Sequence, residues 1–369
     1  MLRVTEINET ARFFELKDQW NKVLEKSNNN NVFLTWEFLS TYWLHFGKGK
    51  KLRILVIEDK NEIIAIAPLR QSRYEFGKIF GYDVIEPLGY GGADYNHFIL
   101  TDKAAECFGL FLKYLTAKGN WDFIYLFDLP EASKIPEFLS KDLSGGLKFE
   151  LVQGKICPFI SLPKSTDAFM YSLDNTFRRD LRRCLRNLER DCGKIELKKY
   201  CELGSVEDGL GVFFGLHQER WVSKLGKGVF NTQKIRDFYI NMTKQWAENG
   251  WLALYFLTVK GEPIAAQYCI EYQEKIYYAL SGFSMEYSKY SPGNVLTLKI
   301  IEDCIQRGVR EFDFMKGDEP YKFCWTKQYR RNFGIRFVNS KFTSSLYSQS
   351  IKLLKQSRID RILGNYLYF

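Results

Sequence analysis

The sequence predicts an α+β protein that contains two copies of one domain, and three observations lead to this interpretation. The stretch at residues 52–65 reappears at residues 252–265, and each copy reads as a strand, a Lys-Asn-Glu or Lys-Gly-Glu turn and a second strand. Two further blocks repeat in the same order, which is typical of a duplicated domain. The chain has 369 residues, which suits two domains of roughly 100–200 residues each. The two further pairs are residues 13–16 with Trp20 against residues 213–216 with Trp221, and residues 32–35 with Tyr42 against residues 229–232 with Tyr239.

The first copy is expected at residues 1–155, in the order helix, helix, hairpin, helix and strand. Thr35 is the expected N-cap of the second helix. The glycine-rich stretch at residues 89–92 has neither the lysine of a P-loop nor dinucleotide-loop spacing, so it is read as a flexible or close-approach loop. The predicted elements are helices at 11–26 and 35–46, the hairpin at 52–65, a helix at 104–117 and a strand at 123–127.

The second copy is expected at residues 156–342, after a linker at about residues 140–165. It opens with a basic helix and then repeats the helix and hairpin pattern. Residues 343–369 read as one further helix, which forms a C-terminal tail. The other predicted elements are strands at 275–280 and 311–315 and a helix at 295–307, which Gly308 terminates.

Composition narrows the classes of function. The chain is 46% hydrophobic and 16% aromatic, which is enough to fill two cores. None of the eight cysteines forms a Cys-x-x-Cys pair and the first residues do not make a signal peptide, so a reducing, cytoplasmic setting is expected. No apolar run reaches the ~18 residues that cross a bilayer. The three histidines show no metal spacing, so neither a metal site nor a histidine triad is predicted.

The most promising chemical signal lies where the strand at 311–315 meets the following turn. Asp313 stands between two phenylalanines, and Lys316, Glu319, Tyr321 and Lys322 follow closely. Ionisable groups at the end of a strand suit acid-base or oxyanion chemistry. The alternative is a solvated, charged turn without a chemical role.

Two features are candidates for binding anions. Ser291, Gly293 and Asn294 flank Pro292 at a helix start, where free N–H groups attract anions, although most helix starts have no such role. The helix at residues 177–190 carries a second candidate, an arginine patch at four-residue spacing. With a net charge of +9, this patch favours RNA, lipid headgroups or a phosphorylated substrate, although a solvated cationic face is commoner. The patch consists of Arg178, Arg182 and Arg186.

Taken together, these residues resemble the CelD/BcsL-like proteins, which are related to the FemAB aminoacyl transferases within the GNAT superfamily. The resemblance covers nearly the whole chain and implies two tandem GNAT-like domains, each a mixed, mostly antiparallel sheet flanked by helices. It rests on residues 33–37, 67–69, Asp94-Tyr95, Glu219-Arg220-Trp221, residues 263–266, 291–293 and 312–314, and Tyr321-Lys322.

The resemblance implies N-acyl transfer, in which an amine attacks an activated acyl carbonyl and the enzyme stabilises the oxyanion. It assigns the oxyanion role to Lys322. Side-chain chemistry suggests Asp313 or Glu319 as the acceptor of the amine proton and Tyr321 as the acid. The residues predicted to bind substrate are Arg220, Trp221, Lys316, Tyr278, Asp94 and Tyr95.

The expected reaction transfers an acyl group, with acetyl as the expected one, from acyl-CoA to an amine of an amino sugar, nucleotide sugar or cell-envelope precursor. Ser291, Gly293 and Asn294 would hold the donor. The usual GNAT loop contains Arg/Gln-x-x-Gly-x-Gly/Ala, but residues 287–294 contain a single glycine. Two alternatives therefore stay open, namely aminoacyl transfer from tRNA and a non-catalytic binding protein of polysaccharide assembly. Peripheral contact with a membrane is a further possibility, and the oligomeric state is left open.

Overall fold

The structure is a computed structural model, and it describes residues 2–76, 80–139, 147–200, 203–225 and 228–339. The chain divides into two compact units. Unit 1 holds the chain up to Lys155 together with the described residues from Arg331 onward, and unit 2 is Ile156–Arg330. Residues 331–338 belong to unit 1 because they pair with a strand of that unit, whereas the sequence assigned them to the second domain. The predicted tail at residues 343–369 lies outside the described residues.

Unit 1 contains most of its helices near its start and a run of strands in its middle. Its elements are β1 (Arg3–Ile7), α1 (Thr10–Phe14), α2 (Lys17–Lys26), the 3₁₀ helix Val32–Leu34, α3 (Trp36–Phe46), β2 (Lys51–Leu52), β3 (Ile54–Asp59), β4 (Glu62–Ala67), β5 (Leu69–Phe76), β6 (Phe80–Pro87), β7 (Ile99–Leu100), α4 (Ala104–Lys118), β8 (Phe123–Leu129) and α5 (Ile135–Phe138).

Unit 2 follows the same general order. Strand β9 (Lys148–Ser161) runs from one unit into the other along the chain, as does the last strand, β15 (Tyr329–Val338). The elements between them are α6 (Thr166–Ser172), α7 (Asn175–Cys192), β10 (Ile195–Tyr200), α8 (Leu203–Leu225), α9 (Gln233–Glu248), β11 (Leu252–Val259), β12 (Glu262–Tyr272), β13 (Lys275–Phe283), the 3₁₀ helix Met285–Tyr290, α10 (Pro292–Gln306), β14 (Glu311–Asp313) and α11 (Lys322–Trp325).

The sheets of both units are mostly antiparallel. In unit 1, strands β1-β3-β4-β7 form one sheet and β15-β8-β6-β5-β2 are neighbours in a second, where β6 and β8 are parallel. In unit 2 the order is β10-β11-β12-β13-β14-β9, and β13 and β14 are parallel. Each unit has its own hydrophobic core, which in unit 2 includes Leu181 and Leu188 of α7 and Ile300 and Ile301 of α10.

The duplication shows in details that the two units share. Hairpin β3–β4 turns through Lys60 and Asn61, and hairpin β11–β12 turns through Lys260 and Gly261, all with positive φ. Two consecutive positive φ values are the conformation of the tightest hairpin turns. Both hairpins shift register at the same place, after Ile57 and after Leu257. The predicted α+β fold, with mostly antiparallel sheets flanked by helices, is therefore confirmed.

The two copies also begin their helices in the same way. The Thr35 hydroxyl accepts a hydrogen bond from the N–H of Phe38 at the start of α3, as the sequence predicted. The hydroxyl of Thr232, its partner in the repeat, does the same for the N–H of Ile235 at the start of α9. The two helices begin at equivalent residues because each threonine hydroxyl bonds an N–H that has no partner within the helix.

The structure corrects three sequence-based expectations. The predicted linker at 140–165 contains strand β9, whose residues from Cys157 to Ile160 are buried or half-buried. The helix predicted at 11–26 is interrupted at Glu15 and Leu16, which separate α1 from α2. The hairpin of β5 and β6 was missed, because its charged and aromatic residues hide the alternation of a half-buried strand.

The glycine-rich loop is a close-approach loop, one of its two predicted readings. A Cβ atom on Gly92 would lie 2.3 Å from the ring of Tyr42. Within the described part of the chain, no helix combines the length and apolar character needed to cross a bilayer.

Candidate active site

The candidate site begins where the parallel strands β13 and β14 stop pairing. Lys275, Ile276 and Tyr277 pair with residues 311–313, and β13 then continues to Phe283, paired with β12 but no longer with β14. Both strands point the same way, so their carboxyl ends lie on one side of the sheet. The carboxyl ends of neighbouring parallel strands are a favoured place for ligands.

Ser281 is the centre of a group of polar side chains. It lies on the part of β13 that extends beyond its pairing with β14. The Tyr278 hydroxyl donates a hydrogen bond of 2.8 Å to the Ser281 Oγ atom. The Nη1 atom of Arg220, on α8, donates to the same oxygen. The Tyr321 hydroxyl, in the turn after β14, lies near that of Tyr278. Three elements that are distant in sequence therefore bring their polar groups together at Ser281.

Helix α8 is fixed against this part of β13 by its backbone as well as its side chains. A Cβ atom on Gly282 would lie 2.2 Å from the backbone nitrogen of His217, so only glycine allows this approach. The Nδ1 atom of His217 lies 2.9 Å from the Ser281 carbonyl oxygen. Two residues further on, Glu219 accepts a hydrogen bond from the Met285 N–H. These contacts place Arg220 over the Phe283 ring, at 5.2 Å from its centroid.

Burial decides the protonation of these groups. Loss of hydration lowers the pKa of His217 to about 4, so its imidazole is neutral near pH 7. The neutral ring donates through Nδ1 to the carbonyl, which leaves its Nε2 atom as a buried acceptor with no partner in the structure. Burial also raises the pKa of Tyr278 and of Tyr321, and the charge of Arg220 opposes both shifts.

Lys322 lies at the start of α11 and is almost fully buried. Its ammonium group contacts the Glu319 carboxylate at 2.8 Å, the Lys316 carbonyl at 3.1 Å and the Met315 carbonyl at 3.4 Å. An ammonium has three N–H donors, so this loop uses all of them. Lys322 therefore holds the loop closed, and it stabilises an acyl oxygen only by releasing one of these three contacts.

The same loop is strained, which explains why it needs the lysine. Met315 has a φ of +60° and Gly317 a φ of +130°. Such a φ costs about 1–3 kcal/mol for a residue other than glycine. The Glu319 carboxylate lies against Gly317, where a Cβ atom would be 2.4 Å from its Oε2 atom. Its side chain is 55% exposed, so the carboxylate is open to solvent as well as to Lys322.

Asp313 belongs to a different group of side chains. It is fully buried, and its Oδ1 atom accepts a 2.7 Å hydrogen bond from the Met315 N–H. Its Oδ2 atom lies 3.9 Å from Arg330, whose guanidinium also binds Glu311 at 2.7 Å. Asp313 and Glu311 raise the pKa of Tyr277 further, after burial. This buried arrangement favours a structural role for Asp313 over that of a proton acceptor for substrate.

The N-terminus of α10 offers few donors to an anion. Ser291 has a left-handed φ of +51°, and its carbonyl accepts hydrogen bonds from the N–H groups of Asn294 and Val295. Pro292 has no N–H, so within the described residues the first turn offers one backbone amide, that of Gly293, beside the side chains of Ser291 and Asn294.

The predicted arginine patch divides in two. Arg178 is engaged locally, since it donates to the Met170 carbonyl and the Asn175 side chain and stacks on Tyr171. Arg182 and Arg186 are exposed on α7, and the described residues include no ion pair for either. The helix buries its apolar stripe, so its exposed side carries these charges.

The remaining predicted residues are distributed between the units. Trp221 follows Arg220 on α8, and its ring lies 5.9 Å from that of His217. Asp94 and Tyr95 are in unit 1, where Tyr95 packs on Phe33 and the Asp94 carbonyl accepts a 2.8 Å hydrogen bond from Asn332.

Sequence reasoning missed Ser281 and His217. A lone serine in a strand and a lone histidine in a helix carry no motif. The nearest signal is the pair Ser281-Gly282, since glycine within a strand marks a close approach of another backbone. The sequence placed Tyr278, Arg220 and Tyr321 in the site, and the structure brings these three together.

Comparison with known proteins agrees with this geometry. Residues 175–323 match the family model described as an acetyltransferase (GNAT) domain. A search of curated protein sequences found no match. The fold is similar to that of FemX, with a TM-score of 0.63 and 12% identity over 91% of this chain and 97% of FemX.

Two other solved structures resemble the whole chain. A Bacteroides thetaiotaomicron protein of unknown function has a TM-score of 0.57 and 10% identity, and covers 92% of this chain and 100% of its own. L-PGS from Bacillus licheniformis has a TM-score of 0.55 and 12% identity, with 94% and 96% covered. The chain thus has a FemX-like fold, and residues 175–323, which include β13, α10 and β14, form an acyltransferase domain of the GNAT type.

Proposed function

We propose that this protein is an N-acyltransferase that forms an amide between an activated acyl group and an amine of an amino sugar, nucleotide sugar or cell-envelope precursor. The observation that carries the proposal is the position of Tyr321 and Lys322. Both lie in the segment that follows β14, and Tyr321 is near Tyr278 of β13. There a hydroxyl and an ammonium group lie on consecutive residues, in the domain that matches the GNAT family. The sequence resemblance to the CelD/BcsL-like group is the basis for naming an envelope or polysaccharide acceptor.

The proposed step uses three side chains. The amine nitrogen attacks the acyl carbonyl carbon, and the carbonyl electrons move to the oxygen, which the Lys322 ammonium stabilises after it releases a loop carbonyl. Glu319 accepts the proton of the attacking nitrogen, since its carboxylate is exposed whereas that of Asp313 is buried. The bond to the leaving group then breaks, and Tyr321 delivers its proton to the leaving atom.

The donor in this proposal is an acyl thioester of CoA, the co-substrate that GNAT domains generally use. A second candidate is an aminoacyl ester of tRNA, and the N-terminus of α10 is the observation that favours it. That terminus offers one amide and one hydroxyl in place of a glycine-rich cradle. The exposed Arg182 and Arg186 of α7 supply a surface that suits a phosphate backbone.

Replacement of Lys322 by Met tests the proposal most directly. We expect kcat to fall by about 10²–10³-fold, the usual effect of removing one oxyanion donor. Acyl transfer is measured with radiolabelled acetyl-CoA, longer acyl-CoAs and aminoacyl-tRNA against amino-sugar acceptors. Lys244→Met is the matched control, since Lys244 pairs with Glu207 on exposed helix surfaces. Equal turnover by the two variants would remove Lys322 from the mechanism.

The donor is settled by binding. With tRNA as the donor, we expect affinity to fall steeply with salt and to weaken about uniformly across tRNA species in the Arg182→Gln, Arg186→Gln double variant. Thermal stabilisation by acyl-CoA, with no effect of tRNA, would identify CoA as the donor. Stabilisation by neither would favour a non-catalytic binding protein.

A further inference from the structure

The exposed side of α7 carries a row of five arginines. Successive residues of an α-helix turn by about 100°, which places these five within about 100° of one another around the axis of α7. All five are exposed, whereas Leu181 and Leu188, on the opposite side of the helix, are buried in the core of unit 2. We call this surface the arginine face, and it consists of Arg179, Arg182, Arg183, Arg186 and Arg190.

The arginine face keeps most of its positive charge. The acidic residues of α7 lie outside the sector that the arginines occupy. Arg183 contacts Asp180 at 3.1 Å and Arg190 contacts Asp191 at 2.7 Å, both on the protein surface. Exposed pairs of this kind are weak, so a multivalent anion can replace them. For the other three arginines the described residues include no ion pair, and these are Arg179, Arg182 and Arg186.

The shape of the arginine face suits a flat partner. From Arg179 to Arg190 the face extends about 16 Å along a single helix, at a rise of about 1.5 Å per residue. Charges on the outer side of one helix form a row that a plane can touch along its whole length. Sites for single-stranded nucleic acid instead combine a positive groove with aromatic rings on which the bases stack. Within α7, the arginine face contains no aromatic side chain, so a planar array of phosphates matches it better than a strand of RNA does.

One exposed aromatic residue lies beside the start of the arginine face. Tyr171, at the end of α6, is 74% exposed. The Arg178 guanidinium lies over its ring at 5.2 Å from the centroid, and Arg178 is one turn before Arg182 on α7. A tyrosine combines an apolar ring with a polar hydroxyl, which is why this residue is enriched where membranes meet water. The surface therefore combines a cationic row with one interfacial ring.

We propose that the arginine face of α7 docks on the surface of an anionic membrane. The guanidinium groups pair with lipid phosphates, which their planar donor geometry fits, and the ring of Tyr171 lies among the headgroups. Clusters of about four to eight basic residues on an amphipathic helix are typical of proteins that bind anionic lipids. Because the apolar side of α7 belongs to the core of unit 2, the helix rests on the headgroups without inserting.

This docking goes beyond acyl transfer, since no residue of the arginine face belongs to the group around Ser281. It has one consequence for the choice of acceptor, and that consequence rests on the proposed function. A protein held at a membrane acts on an acceptor in or near the bilayer. Among the three proposed acceptor classes, docking therefore favours a cell-envelope precursor.

The test measures binding of the full chain to vesicles by cosedimentation. One set of vesicles contains equal amounts of phosphatidylcholine and phosphatidylglycerol, and the other contains phosphatidylcholine alone. We expect binding to the anionic set only, and we expect it to weaken as salt is added, because salt screens charges at an exposed surface. Each arginine replaced by glutamine should weaken it about fivefold, so the triple variant Arg179→Gln, Arg182→Gln, Arg186→Gln should bind about 100-fold less tightly.

A second triple variant is the control of equal charge. It replaces three exposed basic residues that lie outside α7, namely Lys26→Gln, Lys113→Gln and Arg310→Gln. This control should keep nearly all of the affinity for anionic vesicles. Tyr171→Ser should cause a smaller loss, by the same factor at low and at high salt, because an apolar contact is not screened. Glutamine forms helices about as well as arginine, and circular dichroism checks that each variant is folded.

Three outcomes would overturn the proposal. They are equal affinity of the two triple variants for anionic vesicles, equal binding to both sets of vesicles, and binding by the unaltered protein that salt does not weaken. The third outcome needs no variant.

The competing occupant is tRNA, the second candidate donor. If the unaltered protein binds tRNA more tightly than anionic vesicles at equal phosphate concentration, and the arginine variant loses that binding, the face is an RNA site and membrane docking is wrong. Vesicle binding is measured without an acyl donor or acceptor. Failure of the acyltransferase proposal therefore leaves this result unchanged, and failure of docking leaves turnover of soluble substrates unchanged.

Discussion

Arg70 in unit 1 and Arg220 in unit 2 both contact residues of a sheet, and their partners differ. In unit 1, Arg70 of β5 is 2% exposed and binds the Glu86 carboxylate at 2.8 Å. In unit 2, Arg220 is half-buried and binds the hydroxyl and carbonyl of Ser281. The charge of Arg70 is paired with a carboxylate, whereas the charge of Arg220 contacts the hydroxyl and the carbonyl oxygen of Ser281.

The network around Arg70 is closed. Glu86 accepts hydrogen bonds from Ser72 and Tyr74 in addition to Arg70. Arg70 also donates to the carbonyls of Leu88 and Tyr90, so it holds the start of the glycine-rich loop. A buried charge pair with all its hydrogen bonds satisfied rigidifies a structure but has little capacity left for chemistry. The comparison teaches that one fold holds an arginine in a closed charge pair in unit 1 and beside the hydroxyl and carbonyl of a serine in unit 2.

The largest expected effect comes from breaking the closed network. Arg70→Met leaves the Glu86 carboxylate buried without a cation, and we expect the free energy of unfolding of unit 1 to fall by about 3–5 kcal/mol. Urea unfolding followed by circular dichroism measures it. The double variant Arg70→Met, Glu86→Leu should recover most of the loss. If the single variant loses less than Arg220→Met does, the contrast between the two arginines is wrong.

Acid should affect both units in the same way, through their buried histidines. Burial lowers the pKa of His97 in unit 1, like that of His217 in unit 2, from 6.5 to about 4. Below pH 6.5 these histidines bind protons in the unfolded chain but not in the folded units. The free energy of unfolding therefore decreases as the pH falls from 6.5 towards 4. Between about pH 7 and about pH 5 we expect each group to contribute a loss of about 2 kcal/mol.

Urea unfolding at several pH values measures this loss. The variants His97→Gln and His217→Gln should each remove one histidine's share of the pH dependence. The Nε2 atom of His97 lies 2.7 Å from the Ser133 hydroxyl, so His97→Gln has a partner to keep, whereas the Nε2 atom of His217 has none. A pH dependence that is the same in all three proteins would show that other groups cause it.

The smallest expected effects compare the two helix caps. Thr232→Ala should cost about 1 kcal/mol of unfolding free energy, the usual value for an N-cap. Thr35→Ala should cost more, about 2 kcal/mol, because the buried Thr35 hydroxyl also donates a 2.7 Å hydrogen bond to the Val32 carbonyl. Thermal unfolding of both variants, with Thr35→Ser and Thr232→Ser as controls, measures the difference. Equal losses would mean that the second hydrogen bond of Thr35 contributes nothing.

The sequence predicted those parts of the fold that depend on local chemistry. Each hairpin turn requires two residues with positive φ. The pairs Lys-Asn and Lys-Gly predict such a turn in the first and the second copy. Thr35 caps α3 by accepting from the N–H of Phe38, as its position in the sequence predicted. The parallel pairing of β13 with β14 was not predicted, because 27 residues separate the end of one strand from the start of the other, and no local pattern fixes their register.

The candidate site likewise contains features that the sequence predicted and features that only the structure shows. The sequence by itself determined the duplication, the strand-to-turn cluster of Asp313, Tyr321 and Lys322, and the basic surface of α7, since each is a pattern within a short stretch. Only the tertiary structure decided that Asp313 is buried beside Arg330 and that Arg220 and Tyr278 meet at the hydroxyl of Ser281. The physical reason is that burial and hydrogen-bond partners come from different elements, 61 residues apart for Arg220 and Ser281, which meet only when the sheet and α8 pack together.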